Sequence, residues 1–304
     1  MKAAACLGIA ATVPFAAQYV SFSWLYLSLC ADYDDLTLKL AWEMEMSEPV
    51  VFVSHGAPDA LLMAQDAVAS WRKIGQTITQ PAAILVVSAH WENRNPTVSL
   101  SDAPETLYDF SGFSPELYRM RYPAPGAPAL AERVAALLAT AGQQTDRDAN
   151  RGLDHGAWVP LSAMYPEANI PVTQLSLVQN AGPETHFKLG QLLAPLRDEG
   201  VLIVCSGAIT HNFAWLDWRA TPGQLPHPKA ETFSQWVADR LAAQDVPALL
   251  DYRNAPYGAE AHPGEEHFMP FFVALGAANG ESSMRYRPHF TYGALSMDAY
   301  VWRG

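Results

Sequence analysis

Charge is scarce in this chain, and what there is leans acidic. Only 16% of residues are charged, with 19 Lys and Arg against 31 Asp and Glu, for a formal net charge of −12. Binding nucleic acid needs a basic face that neutralises phosphates, so no nucleic-acid partner is expected. Cysteine is scarcer still. Cys6, Cys30 and Cys205 are the only three, and none forms a CxxC pair, which rules out a disulfide framework or a Cys-rich zinc site. The chain also lacks a GxSxG elbow, a GxGxxG turn after a strand and a P-loop. HExxH is missing too, because Glu266-His267 has no second histidine at the required spacing. No repeat, low-complexity tract or linker is visible. Half of the residues are hydrophobic, enough apolar surface to offset the entropy of ordering, so disorder is excluded as well.

Within the 304 residues, the first 46 stand apart. No charged residue occurs from Ala3 to Ala31, after Lys2. That pattern fits a signal peptide, a membrane anchor or an upstream start codon wrongly assigned, with an integral helix ranked last. Pro14, Gln18, Tyr19, Ser21 and Ser23 interrupt the apolar run. The segment offers no histidine. Residues 1–46 are therefore expected to be a dispensable tail, and residues 47–304 a single catalytic domain of a soluble cytoplasmic protein.

From residue 49 onward, short apolar runs alternate with amphipathic stretches. Val50–Val53, Ala82–Val87, Val172–Leu177 and Val201–Cys205 read as strands buried on both faces. Asp59–Ile74, Ala127–Ala141, Pro183–Arg197 and Pro228–Ala243 read as helices. The alternation predicts one α/β domain: a central, largely parallel or mixed sheet flanked by helices. Its active site belongs at the carboxyl ends of the strands. Cys205, inside an apolar run, is expected to be packing rather than a nucleophile.

The nine histidines carry the functional signal. Three apolar strands each run into small residues and then a histidine: Ser54-His55-Gly56, Ser88-Ala89-His90-Trp91 and Ser206-Gly207-Ala208-Ile209-Thr210-His211. Two more stand at helix-start loops, in Asp154-His155-Gly156 and Ala261-His262-Pro263. A single such imidazole would ordinarily be a core or cap residue. Five of them at element ends, beside Gly, Ser and Ala, point to a metal site, since imidazole suits Zn and Fe(II) with open positions. His186, His227 and His289 have structural explanations and are set aside.

The same residues carry a family resemblance. Ser54-His-Gly-Ala-Pro58, Ser88-Ala-His-Trp91, Leu153-Asp-His-Gly-Ala-Trp-Val-Pro-Leu161, Thr210-His-Asn212 and Ala261-His-Pro-x-x-Glu-His-Phe268 occur in that order. From about residue 48 to the C-terminus the chain resembles the class III extradiol ring-cleavage dioxygenases (LigB-like superfamily), in particular the 4,5-DOPA dioxygenase branch. The resemblance implies one metal held by His55, His90 and His262. His211 would be the catalytic base and could also close a zinc site as a fourth ligand. His155 would be the histidine on the substrate side. Glu266 and His267 compete for the third-ligand position, but are expected instead to orient a ligand imidazole.

The implied reaction opens a catechol ring with O₂ to give a muconic semialdehyde. Fe(II) is expected for turnover and Zn(II) in the isolated protein. Trp91, Trp158, Tyr118 and Phe268 are expected to wall an apolar slot for the ring. The catechol and O₂ would be the partners of a monomer or small homo-oligomer, with no membrane partner. The alternative is a zinc hydrolase, or a non-catalytic metal- or ligand-binding protein on the same scaffold.

Overall fold

The computed structural model describes residues 47–221 and 223–303. The expectation about residues 1–46 lies outside them. Six described strands make the central sheet: β1 (Val50–Ser54), β2 (Ala83–Ser88), β3 (Val172–Gln174), β4 (Val201–Gly207), β5 (Ser283–Tyr286) and β6 (Ala299–Trp302). Their order is β3-β2-β4-β1-β6-β5. The first four are mutually parallel, whereas β6 pairs antiparallel with β1 and with β5. The sheet is mixed, as expected for a doubly covered α/β layer.

Alternation along each strand sends side chains to two separate cores. Val50 and Phe52 of β1 join Leu85 and Val87 of β2 and Ile203 and Cys205 of β4 on one face. Val51, Val53, Ile84, Val86, Leu202 and Val204 line the other. Helices α1 (Gln65–Thr77) and α3 (His155–Met164) cover the second face. Helices α2 (Pro128–Thr140), α4 (Pro183–Leu193), α5 (Pro228–Ala242) and α6 (Met269–Ala277) cover the first. All nine residues of α6 are buried, which explains why that segment is apolar all round.

Local chemistry trimmed the predicted elements. The helix expected over Asp59–Ile74 breaks at Ala64 into a short turn, Ala60–Met63, and α1. That expected over Pro183–Arg197 ends at Leu193 and continues as a 3₁₀ turn, Ala194–Glu199, because Pro195 has no N–H to donate. The strand expected over Val172–Leu177 stops at Gln174, and Leu177–Val178 pairs separately with Glu92–Asn93. No described helix is long and apolar enough to cross a membrane.

Candidate metal centre

The parallel register sets three strand ends level. Ser54 of β1 pairs with Gly207 of β4, and Ser88 of β2 with Ser206. The backbone N–H of His55 donates to the Gly207 carbonyl at 3.0 Å, carrying the chain one residue past the sheet edge. His55 and His90 therefore emerge side by side, with their Nε2 atoms 3.1 Å apart. The third imidazole comes from another direction. His267, just before α6, brings a ring nitrogen into the same group, all within 4.8 Å of one another. The Ala208 N–H donates to the His267 carbonyl at 2.8 Å. A Cβ on Gly207 would meet that carbonyl oxygen at 2.2 Å, so only glycine lets the loop settle on the end of β4.

Two of the three rings are hydrogen-bonded through Nδ1, and the third faces a carboxylate. His55 Nδ1 lies 2.9 Å from Ser206 Oγ, whose own hydrogen is donated to the Gly156 carbonyl. The hydroxyl must then accept, so Nδ1 carries the proton of His55 and Nε2 keeps its lone pair. His267 Nδ1 donates to Glu266 Oε1 at 3.0 Å. His90 Nδ1 faces Asp109 Oδ2 at 3.5 Å. Burial, followed by the neighbouring imidazoles, drives His55 and His267 well below the usual histidine range. Burial and then His155 bring His90 to about 4. Neutral rings whose lone pairs converge are a donor set for a divalent cation, and the residues fit a metal.

Two further imidazoles flank this trio. The His211 ring stacks on His267, with centroids 3.5 Å apart and planes 9° from parallel. Its backbone N–H donates to the Ala261 carbonyl. On the other side, His155 opens α3 with its ring centroid 3.9 Å from that of His90. Asp154 caps this helix by accepting from the Ala157 N–H, and its buried carboxylate also takes hydrogen bonds from Ser88, Arg151 and Gln174. A Cβ on Gly156 would meet Ser88 Oγ at 2.4 Å, so this glycine lets the helix start against the end of β2.

His262, the expected third ligand, lies apart from this group, and His267 stands nearer to His55 and His90. It is wholly buried, stacked on Phe268 at 4.7 Å and edge-on to Phe233 and Tyr252. Its Nε2 bonds to the Ile209 carbonyl at 2.9 Å, tying down the loop that carries His211. Burial lowers it to about 3, so the ring is neutral, and its buried Nδ1 has no hydrogen-bond partner. Three of the expected slot aromatics are buried. Trp158 and Phe268 are fully buried in the two cores, and Trp158 Nε1 donates to the Leu107 carbonyl. Trp91 is buried under the Arg151 guanidinium, 5.0 Å from its ring.

The aromatics that do border the imidazoles are Phe110 and Phe213. Phe110 lies 5.6 Å from His155 and Phe213 5.0 Å from His211. Tyr118 stands behind Phe110 at 5.2 Å, one layer out. Asp109 was also missed in the sequence. Its Oδ1 accepts from both the backbone N–H and Nδ1 of His155, at 3.0 and 2.9 Å. Burial alone would raise this carboxyl, but the hydrogen bonds and charges of His155 and His90 outweigh it and hold Asp109 at about 2. Its only sequence signal was its place in the aromatic loop Tyr108-Asp109-Phe110.

Residues 49–300 match the family described as the catalytic LigB subunit of aromatic ring-opening dioxygenase. The chain belongs to this family. Among LigB-family relatives, a Beta vulgaris protein named 4,5-DOPA dioxygenase extradiol is 44% identical over 260 residues, covering 82% of this chain and 94% of its own. An Escherichia coli K12 protein of the same name is 40% identical over 236 residues, covering 77% of this chain and 86% of its own. A solved Escherichia coli K12 structure of an uncharacterized protein superposes with a TM-score of 0.69 at 35% identity, covering 84% of this chain and 99% of that one. The protein is thus a LigB-type extradiol ring-cleavage dioxygenase of a metal-dependent family.

Proposed function

We propose that this dioxygenase opens DOPA-like catechols with O₂ to give a muconic semialdehyde, using one Fe(II) held by His55, His90 and His267. The observation that carries this reading is the converging trio of neutral imidazoles, two of them hydrogen-bonded through Nδ1, with a further imidazole on either side. When bound, Fe(II) would supply open coordination positions and the redox chemistry that lets O₂ react with an aromatic ring. Zn(II) suits the same donors and is the ion proposed for the isolated protein.

The protein's own groups handle the protons. A catechol hydroxyl has a reference pKa of about 10, so removing its proton at neutral pH needs a positioned base. His211 is half-buried and held below its usual range, mainly by burial, and its neutral ring takes that proton. His155, on the opposite side, returns a proton through Nε2 or holds developing negative charge. Phe110 and Phe213 border the mouth through which a flat ring enters. We keep the reading of a cytoplasmic monomer or small homo-oligomer.

The test is anaerobic reconstitution with Fe(II), then O₂ uptake with a panel of catechols. Stoichiometric uptake and a yellow semialdehyde are expected with DOPA-like substrates. Metal binding without uptake for any catechol would favour a zinc-based hydrolase instead.

A further inference from the structure

Asp109 touches two of the five imidazoles through one carboxylate. Oδ1 takes both the backbone N–H and Nδ1 of His155, and Oδ2 lies 3.5 Å from His90 Nδ1. The loop that presents it is clipped to the start of α3 from several sides. Leu107 N–H donates to the Leu153 carbonyl, Leu153 N–H to the Glu105 carbonyl, and Trp158 Nε1 to the Leu107 carbonyl. Tyr108 OH donates to the Met120 carbonyl at 2.7 Å. A loop held this firmly, with the carboxylate only 26% exposed, fixes an acceptor at one point beside His155.

We propose that Asp109 is the positioning residue of His155: it holds the imidazole as the Nδ1–H tautomer and leaves Nε2 as the nitrogen that exchanges a proton with bound catechol. Free neutral histidine has no such restriction, and a ring that turned over would present the wrong atom. With Nδ1–H given to the carboxylate, any proton exchanged with substrate moves at Nε2. The proposal rests on the dioxygenase reading for its catalytic meaning, though not for the hydrogen bond itself.

Asp109→Ala is the decisive variant, read in two ways. In the zinc-loaded protein, ¹⁵N NMR of the ring nitrogens, with His155→Gln for assignment, should show His155 protonated at Nδ1 in wild type and no longer so in Asp109→Ala. In the Fe(II) enzyme kcat per bound iron should fall about 10- to 100-fold, as for lost orienting partners elsewhere, with KM within about twofold and iron retained at saturating Fe(II). Asp109→Asn keeps the shape and one acceptor oxygen, so it should fall between alanine and wild type in both readouts and serves if alanine unfolds the loop. Wild-type tautomer and kcat in Asp109→Ala would overturn the proposal. So would metal loss as complete as in His55→Ala, or an asparagine variant worse than alanine. Absence of O₂ uptake in wild type would count against the dioxygenase reading alone, because the zinc-loaded protein reports the tautomer without turnover.

Discussion

His211 lies flat on His267, their planes 9° apart and their centroids separated by 3.5 Å. One ring is anchored through Nδ1 to Glu266 and aimed into the donor group. The other is partly open to solvent, with its backbone fastened to Ala261. The pair thus combines an anchored imidazole with a more exposed neighbour, and the predictions below separate their proposed roles.

Metal content should distinguish the two histidines of the 262–267 loop. His55→Ala, His90→Ala and His267→Ala should each abolish stoichiometric binding, because a two-imidazole site is weak. His262→Ala should keep its metal and instead lose about 2–5 kcal/mol of stability, the usual cost of emptying a buried aromatic position. If His262→Ala loses metal while His267→Ala retains it, the assignment made here is wrong.

His211→Gln should lower turnover by roughly 10²- to 10⁴-fold, the range for a general base. It should still hold Fe(II) when catechol is present. Iron loss matching that of His55→Ala would make His211 an obligatory ligand and remove it as the base.

Gly207→Ala tests the packing of the ligand loop. The added Cβ would stand 2.2 Å from the His267 carbonyl oxygen, so the backbone has to shift. About 1–3 kcal/mol of destabilisation is expected from such overpacking, together with weaker metal affinity. Thermal melts with and without zinc measure both; an unchanged zinc-induced rise in Tm would refute the link between Gly207 and the site.

Chelation should lower Tm and added Zn(II) should restore it. A ligand at 1,000 times its Kd stabilises the folded state by about 4 kcal/mol. The shift should vanish in His267→Ala, whose site is incomplete; persistence there would place the ion elsewhere.

A chain starting at Met46 should fold, bind metal and turn over like the full-length protein. Every residue proposed for the site lies between His55 and His267, and the six described strands of the sheet all lie from Val50 onward. Insolubility, or a melt several degrees lower, would show that the leading segment contributes to the domain.

Much of this could be read along the chain. Apolar strands ending in small residues and then histidine located His55 and His90, because local pattern alone decides that a strand ends and its next side chain stands at the sheet edge. The ordered motifs carried the family, and helix α5 was predicted to within a residue. Other features depend on parts of the chain that meet only in the fold. Strand β6 is held by antiparallel pairing with β1, over 200 residues away, and β5 pairs in turn with the outer edge of β6. Phe268 and Trp158 look like slot walls in the sequence, yet the packing of α5, α6 and the Leu107 loop buries them. The two histidines of the 262–267 loop show the limit most clearly. His262 and His267 are five residues apart in one loop, and either imidazole is chemically suited to a metal. The missing side chain at Gly207 lets the His267 carbonyl bond to Ala208, while the Ile209 carbonyl captures His262. Sequence spacing cannot express that choice, because it is made by backbone groups on β4 and the loop that follows it.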